Sequence, residues 1–284
     1  MSRIAYLDRA FQPLAHARVK ALDRGFLFAD AVYEVWAVRG ARLLDLEGHL
    51  CRLQRSLGEL EIAMPMSPAA LLCLIEEVRR RNRVRDGLVY LQISRGAAAA
   101  RDFPFPDPPV QPTLFVFARA MDMRRAEARA REGVRLCAQP DQRWGRCDIK
   151  STALLPNVLA KEAARRADGF EALLVDRDGL VTEGASASAW IVTPEGVLAT
   201  RDLGANILPG VTRAALVPLA QAMGLRVEER AFSLAEAKAA AEVFLSSASL
   251  GAMPVIAIDE AVIGEGRPGP VALALRRNYF SPAA

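Results

Sequence analysis

The sequence predicts a two-domain α/β protein, with a smaller N-terminal α+β domain over 1–120 and a larger C-terminal α/β domain over 121–284. Three observations carry that expectation. The first third places an antiparallel strand pair ahead of two helical stretches, whereas the second half alternates strands with helices. Between them, around Arg119 to Arg131, charge density rises and periodicity weakens, as at a domain boundary. Finally, 284 residues with 52% hydrophobic and 25% charged side chains suffice for two globular cores.

Taken in order, Val32 to Val38 alternates as a strand, turns at Arg39-Gly40 and returns through Ala41 to Leu46. Leu46, Leu50, Leu53, Leu57 and Leu60 recur at three and four residues, the stripe of a buried helix. A second helix is predicted over Pro68 to Arg81, and strands over Leu88 to Ser94 and Thr113 to Ala118. The loop between those strands, 96–112, holds five prolines, and loops of that length in a compact domain are usually functional. In the second half, Val134 to Gln139 and Phe170 to Asp176 read as strands flanking a helix from Leu154 to Ala167, with Pro156 in its first turn. Ser188 to Thr193 and Val197 to Thr200 form a hairpin around Pro194-Glu195-Gly196. A helix follows Pro209-Gly210 to about Met223. Ser233 and Glu236 make a capping box for a short helix, and Val243 to Ser246 returns to strand.

Several function classes fall away. Net charge is +4, but acidic residues interleave with the arginines, and Arg79 to Arg83 follows Glu76 and Glu77 as a solvated helix end; no nucleic-acid partner is expected. Four scattered cysteines and two histidines make no metal-ligand spacing, so no metal is expected. Residues 1–8 alternate like a strand and lack the apolar core of a signal peptide, and no apolar run reaches membrane-spanning length. A cytoplasmic protein with no membrane partner is expected.

Five residue groups carry candidate chemistry. Only four of 37 basic residues are lysines, Lys20, Lys150, Lys161 and Lys238. An amine can lose its proton and attack a carbonyl, which a guanidinium cannot. Position alone leaves Lys150 open between a solvated strand-end lysine and a Schiff-base amine. Glu183, in Val181-Thr182-Glu183-Gly184, is open between a strand-end acid and a partner for a pyridine nitrogen. Leu208-Pro209-Gly210-Val211-Thr212-Arg213 leads into a helix whose first amides suit a phosphate, and Ser246-Ser247-Ala248-Ser249 offers hydroxyls after a strand; either is also an ordinary cap or turn. Arg52, at the edge of the leucine stripe, reads as a snorkelling surface arginine or an inward phosphate ligand.

Jointly and in this order, these segments resemble the fold-type IV pyridoxal-phosphate aminotransferases, most of all the D-amino-acid aminotransferases. The resemblance rests on Asp23-Arg24-Gly25, Val32-Tyr33-Glu34, His49-Leu50-Cys51-Arg52-Leu53, Thr182-Glu183-Gly184, Leu208 to Arg213 and Pro254-Val255-Ile256-x-Ile258-Asp259. Arg143 to Ser151 is the most specific match, because it resembles the D-amino-acid branch in particular. The resemblance implies pyridoxal 5'-phosphate as cofactor, a C-terminal pseudo-barrel domain carrying the Schiff-base Lys150, and Glu183 at the pyridine nitrogen. It also implies Arg52, Val211, Thr212, Ser247 and Ala248 around the phosphate, Leu208 against the ring, Ser186 nearby, and Tyr33 facing the substrate carboxylate. Activity would be transfer of the amino group of a D-amino acid, such as D-alanine or D-glutamate, to a 2-oxo acid. Partners would be those substrates and a second copy of the chain, whose active site the 96–112 loop reaches. Branched-chain L-amino-acid and R-amine transaminases and 4-amino-4-deoxychorismate lyase share the fold. One departure stands out: the family's Arg-x-His carboxylate clamp is here Arg101-Asp102-Phe103, so Arg101 alone remains as a candidate.

Overall fold

The computed structural model describes residues 3–281 and resolves the chain into two compact units. The first runs to Asp122 and also takes Ile149–Ala153; the second comprises Met123–Asp148 and the residues from Leu154 onward.

The first unit is one antiparallel sheet with helices. Its strands are β1 (Ile4–Leu7), β2 (Ala10–Pro13), β3 (Ala31–Arg39), β4 (Arg42–Leu43), β5 (Gly87–Ser94) and β6 (Thr113–Ala120), in the order β2-β1-β6-β5-β3-β4. Its helices are α1 (Arg24–Phe28), α2 (Leu46–Glu59) and α3 (Pro68–Arg81). The leucine stripe behaves as its spacing predicts: Leu53 and Leu57 are buried, and Leu46, Leu50 and Leu60 pack at the edge of the same core. α3 starts where Ser67 Oγ accepts from the Ala70 amide at 3.3 Å, with Pro68 in its first turn. Its Leu71, Leu74, Ile75 and Val78 join Trp36, Leu91 and Ile93 in that core. Each such burial contributes about 1.5–3 kcal/mol.

The 96–112 loop is tied down by buried arginines. Arg24 donates to the carbonyls of Asp102 (2.6 Å), Phe103 (3.0 Å) and Pro104 (3.2 Å), and its Nε reaches Asp30 Oδ2 at 2.8 Å. Arg95 binds the same Asp30 and lies over the Phe105 ring at 3.5 Å. Buried Asp23 accepts from Ser94 Oγ and Thr113 Oγ1, the two roots of the loop. A long proline-rich connection therefore has a defined course.

The sequence assigned Lys150 to the C-terminal domain, whereas its segment packs with the first unit. The reason is pairing with β3: the Tyr33 amide donates to Lys150 O at 3.0 Å, Thr152 N donates to Ala31 O at 3.0 Å, and Ser151 bridges Val32. Ile149 is buried in the same core. Contacts more than a hundred residues apart in the chain leave no local periodicity to read.

The second unit opens with α4 (Met123–Glu132) and contains β7 (Val134–Pro140), α5 (Leu155–Arg166), β8 (Glu171–Val175), β9 (Val181–Gly184), β10 (Ser188–Val192), β11 (Leu198–Thr200), α6 (Val211–Ala222), β12 (Val227–Glu229), α7 (Leu234–Ala239), β13 (Glu242–Ser247), β14 (Gly251–Ile258), β15 (Ala261–Val262) and α8 (Pro270–Phe280). One mixed sheet runs β12-β11-β10-β13-β14-β7-β8-β9, with β15 beside β14. Its β14–β7, β7–β8 and β11–β12 pairs are parallel. The stretch read as an aperiodic boundary is α4. Its buried side is marked by Ala130, a small side chain that hydropathy registers weakly, and its Glu127 pairs with Arg276 of α8 at 2.8 Å. β14 was hidden by Pro254, since proline is rare inside a strand; the register against β7 slips just beyond it, between Val255 and Ala257. Ser233 caps α7, its Oγ accepting from Glu236 N at 3.0 Å, while the Glu236 carboxylate turns to Arg230.

Candidate active site

In the first unit, the pairing with β3 fixes the backbone of Lys150, and its amide also donates to Ser56 Oγ at 3.2 Å. The Nζ lies 4.2 Å from the centroid of the half-buried Tyr33 ring, which stacks on Tyr90 at 5.8 Å. An aromatic face attracts an ammonium, so the amine has a defined position when it carries its proton. Two expected residues, Lys150 and Tyr33, are thereby brought together.

Arg52 is buried, as the inward reading requires. Its Nε and Nη2 grip Glu34 Oε1 and Oε2 at 2.8 and 2.9 Å, and His49 Nδ1 lies 2.7 Å from the same Oε2. Burial opposes the charge on Glu34, but the Arg52 guanidinium and the hydrogen bonds from Arg52 and His49 outweigh it and hold the carboxyl at about 2. Arg101 has turned onto its own chain: its guanidinium lies over the rings of Phe28 (4.8 Å) and Phe103 (5.3 Å).

In the second unit, Glu183 closes β9 and is buried. Its Oε1 accepts from the Leu208 amide at 3.2 Å and from Arg143 Nη1. Arg143 was not among the candidates read from the sequence, although it stands in the segment most like the D-amino-acid branch. The available signal was Asp141-x-Arg143, an acid two residues ahead that can fold back on the arginine. Asp141 Oδ1 accepts from the Arg143 amide (3.1 Å) and Nε (2.9 Å), and its Oδ2 from Nη2 (2.7 Å) and Thr182 Oγ1 (2.7 Å). Burial works against charge on Asp141, yet Arg143 and Thr182 pull its carboxyl below the usual carboxylate range. Burial likewise opposes charge on Arg143, and Asp141 and Glu183 more than compensate, raising it above the ordinary arginine range.

Val211 and Thr212, both buried, form the first turn of α6, whose N-cap Gly210 supplies no side chain to satisfy the turn's amides. A Cβ at Gly210 would come within 2.6 Å of Ser188 Oγ, so only glycine lets the backbone approach this closely. Ser188 pairs with Ser246 across β10 and β13, which brings the start of α6 beside the end of β13, where Ser247 and Ala248 lie. Small residues and unpaired amides thus converge as an anion would require. Thr212 Oγ1 is 3.4 Å from the Tyr279 hydroxyl, and Ser247 Oγ is 3.4 Å from Ser249 Oγ.

Ser186 stands apart. It is exposed, and its hydroxyl donates to Oε2 of fully buried Glu171 at 2.5 Å, the oxygen that also meets Lys161 Nζ at 2.5 Å. Three residues beyond Glu183, after the β9 strand has ended, its side chain joins that separate cluster. Among the described residues no group of His, Cys, Asp and Glu could hold a metal, and no helix is long and apolar enough to cross a membrane.

The amino-transferase class IV family matches residues 31–258. A D-alanine aminotransferase of Bacillus licheniformis is 38% identical over 266 residues, covering 92% of each chain. Another, of Staphylococcus haemolyticus, is 32% identical over 274 residues, 96% of this chain and 95% of its own. The solved structure of a T.th. branched-chain amino acid aminotransferase with pyridoxamine 5'-phosphate matches 99% of this chain and 93% of its own, with a TM-score of 0.89 at 27% identity.

Proposed function

This chain belongs to the class IV aminotransferases, and on that premise we propose that it moves the amino group of a D-amino acid, D-alanine foremost, to a 2-oxo acid with pyridoxal 5'-phosphate as cofactor. The observation that carries the reading is near full-length similarity to D-alanine aminotransferases. Branched-chain enzymes share the backbone, but the wording of Arg143 to Ser151 sides with the D-amino-acid branch.

The residues present fit the cofactor. The α6 amides at Val211 and Thr212, the Thr212 and Ser247 hydroxyls and the backbone at Ala248 would hold its phosphate, with the Arg52 guanidinium as a further hydrogen-bond donor. Glu183 would hold the pyridine nitrogen: one guanidinium serving both Asp141 and Glu183 leaves a negative surplus that suits a protonated ring. Leu208 is tied to Glu183 through its amide and would pack on the ring. When bound, pyridoxal phosphate supplies an aldehyde for the amino group and a ring that takes up the electron pair left at Cα.

Lys150 then has two tasks. Its Nζ would hold the cofactor in the resting enzyme and, once a substrate amine replaced it, would act as the base that takes up the Cα proton and later gives it back. Tyr33 steadies the protonated amine and faces the substrate carboxylate. The enzyme works in the cytoplasm as a homodimer, with the 96–112 loop, whose Phe103 and Phe105 are exposed, docking on the second copy. Ser186 holds Glu171 instead of the cofactor, and Arg101 reaches the substrate carboxylate only by leaving its aromatic stack.

Borohydride reduction of the holoenzyme followed by peptide mass spectrometry tests the tether. A pyridoxyl group on the Lys150 peptide is expected; labelling of Lys20, Lys161 or Lys238 instead would refute it.

A further inference from the structure

We propose that Arg143 is a positioning residue for the reaction, holding the Glu183 carboxylate ionised and oriented so that it keeps the cofactor's pyridine nitrogen protonated. The inference rests on the reading that Glu183 meets that nitrogen. Four observations point to Arg143. Its side chain is 7% exposed, too buried to be a surface cation answering nearby acids. Its fork is fully directed: Nε and Nη2 to Asp141, Nη2 also to the Asn206 carbonyl at 3.0 Å and Thr182 Oγ1 at 3.3 Å, and Nη1 to Glu183 Oε1. Asp141 and Thr182 are themselves hydrogen-bonded to each other, so the guanidinium plane is fixed independently of Glu183. Finally, the Leu208 amide meets the same Oε1 that Arg143 does, so both donors orient the carboxylate by one edge.

The chemistry follows from charge. A buried carboxylate alone reverts to the neutral acid, which cannot stabilise a pyridinium. A carboxylate paired one-to-one with a buried arginine is ionised but has its charge answered. Sharing Arg143 with Asp141 avoids both outcomes, keeping Glu183 ionised while the triad stays net negative. Lysine, a point charge without a planar fork, cannot address both carboxylates in this geometry.

The test uses holoenzyme and pyridoxal 5'-phosphate, with Arg143→Gln, Arg143→Lys, Glu183→Gln and the Arg143→Gln/Glu183→Gln double variant. The readouts are the cofactor's dissociation constant, the absorption spectrum of the bound cofactor across pH, and kcat and KM separately. Arg143→Gln is expected to weaken cofactor binding at least tenfold, shift the spectrum, and lower kcat at least tenfold while KM moves less than threefold. Arg143→Lys is expected to fall between it and the parent. The double variant is expected to be no worse than the worse single one, because Arg143 acts through Glu183. A parent-like spectrum and affinity in Arg143→Gln, or losses that multiply in the double variant, would overturn the proposal. A purely structural role would lower the thermal midpoint and leave the spectrum of the folded fraction unchanged, which also overturns it. Should Arg143→Gln fail to fold, Arg143→Lys decides: a shifted spectrum supports the role and a parent-like one refutes it. Glu183→Gln separates the two readings. If it leaves the spectrum and affinity unchanged, the assignment of Glu183 to the cofactor fails and this inference with it; if it changes them while Arg143→Gln does not, only Arg143's role fails.

Discussion

Two buried clusters in this molecule are built from the same pair of residue types and reverse their roles. In the first unit Glu34 holds Arg52 by a two-point grip, with His49 against the same carboxylate, and the member proposed to face the cofactor is the arginine. In the second unit Arg143 holds Glu183, and the member proposed to face the cofactor is the carboxylate. The ratio differs accordingly. One carboxylate faces one guanidinium around Arg52, whereas Arg143 serves Asp141 as well as Glu183. A buried ion pair is therefore not by itself structural or functional. Whether a charge is left over, as around Arg143, or answered within the pair, as around Arg52, tells the two apart.

The comparison predicts opposite consequences for two equivalent truncations. Glu34→Ala strands a buried guanidinium and is expected to destabilise the fold by about 3–5 kcal/mol in denaturant titration. Glu183→Ala leaves Arg143 its Asp141 partner, so it is expected to cost less than half as much stability while weakening cofactor binding at least tenfold. Equal stability losses in the two variants would remove the distinction.

The Glu34 cluster also predicts the acid limb of stability. Its carboxyl lies at about 2 in the folded protein against an ordinary 4.5. A depressed folded value contributes stability above the unfolded value, and that contribution disappears as pH falls from about 4.5 towards 2. Glu34→Gln should flatten the pH dependence of the melting temperature in that window, which calorimetry across pH reads directly. An unchanged slope would mean that Glu34 is not the group responsible.

Arg24 sharpens the contrast from a third direction, since most of its partners are neutral carbonyls of the 96–112 loop. Arg24→Ala is expected to release the loop at a cost of about 1–3 kcal/mol. Limited trypsin digestion after Arg101 should accelerate in this variant and not in Arg146→Ala, whose side chain is an exposed partner of Asp148. The smallest effect is predicted for Thr182→Ala, which loses the 2.7 Å hydrogen bond to Asp141, about 1 kcal/mol, and is expected to be rescued by serine.

Much of this architecture was legible locally. The leucines of α2, the Ser67-Pro68 start of α3 and the Pro209-Gly210 entry to α6 each announce themselves within a few residues, because caps and stripes are short-range physics. What was not legible depends on distant partners. Lys150 docks on β3 through residues more than a hundred positions away, α4 hides its buried side behind alanine, and β14 carries a proline. The candidate site divides the same way. Residue type and neighbours left Lys150, Glu183 and the α6 entry open until the resemblance joined them, while Arg143 showed only the weak local signal of Asp141 two residues ahead, its other partner Glu183 lying forty residues on. Ser186 and Arg101 show the converse: the position within a motif is kept while the side chain is engaged elsewhere.

The central claim concerns the hand of the substrate. Purified holoenzyme given D-alanine or L-alanine at equal concentration, each with 2-oxoglutarate, can be followed by pyruvate release. Turnover of D-alanine at least a hundredfold above L-alanine, abolished in Lys150→Ala, is the predicted result. Faster turnover of L-alanine, or of a branched-chain L-amino acid supplied in its place and followed by glutamate formation, would contradict it.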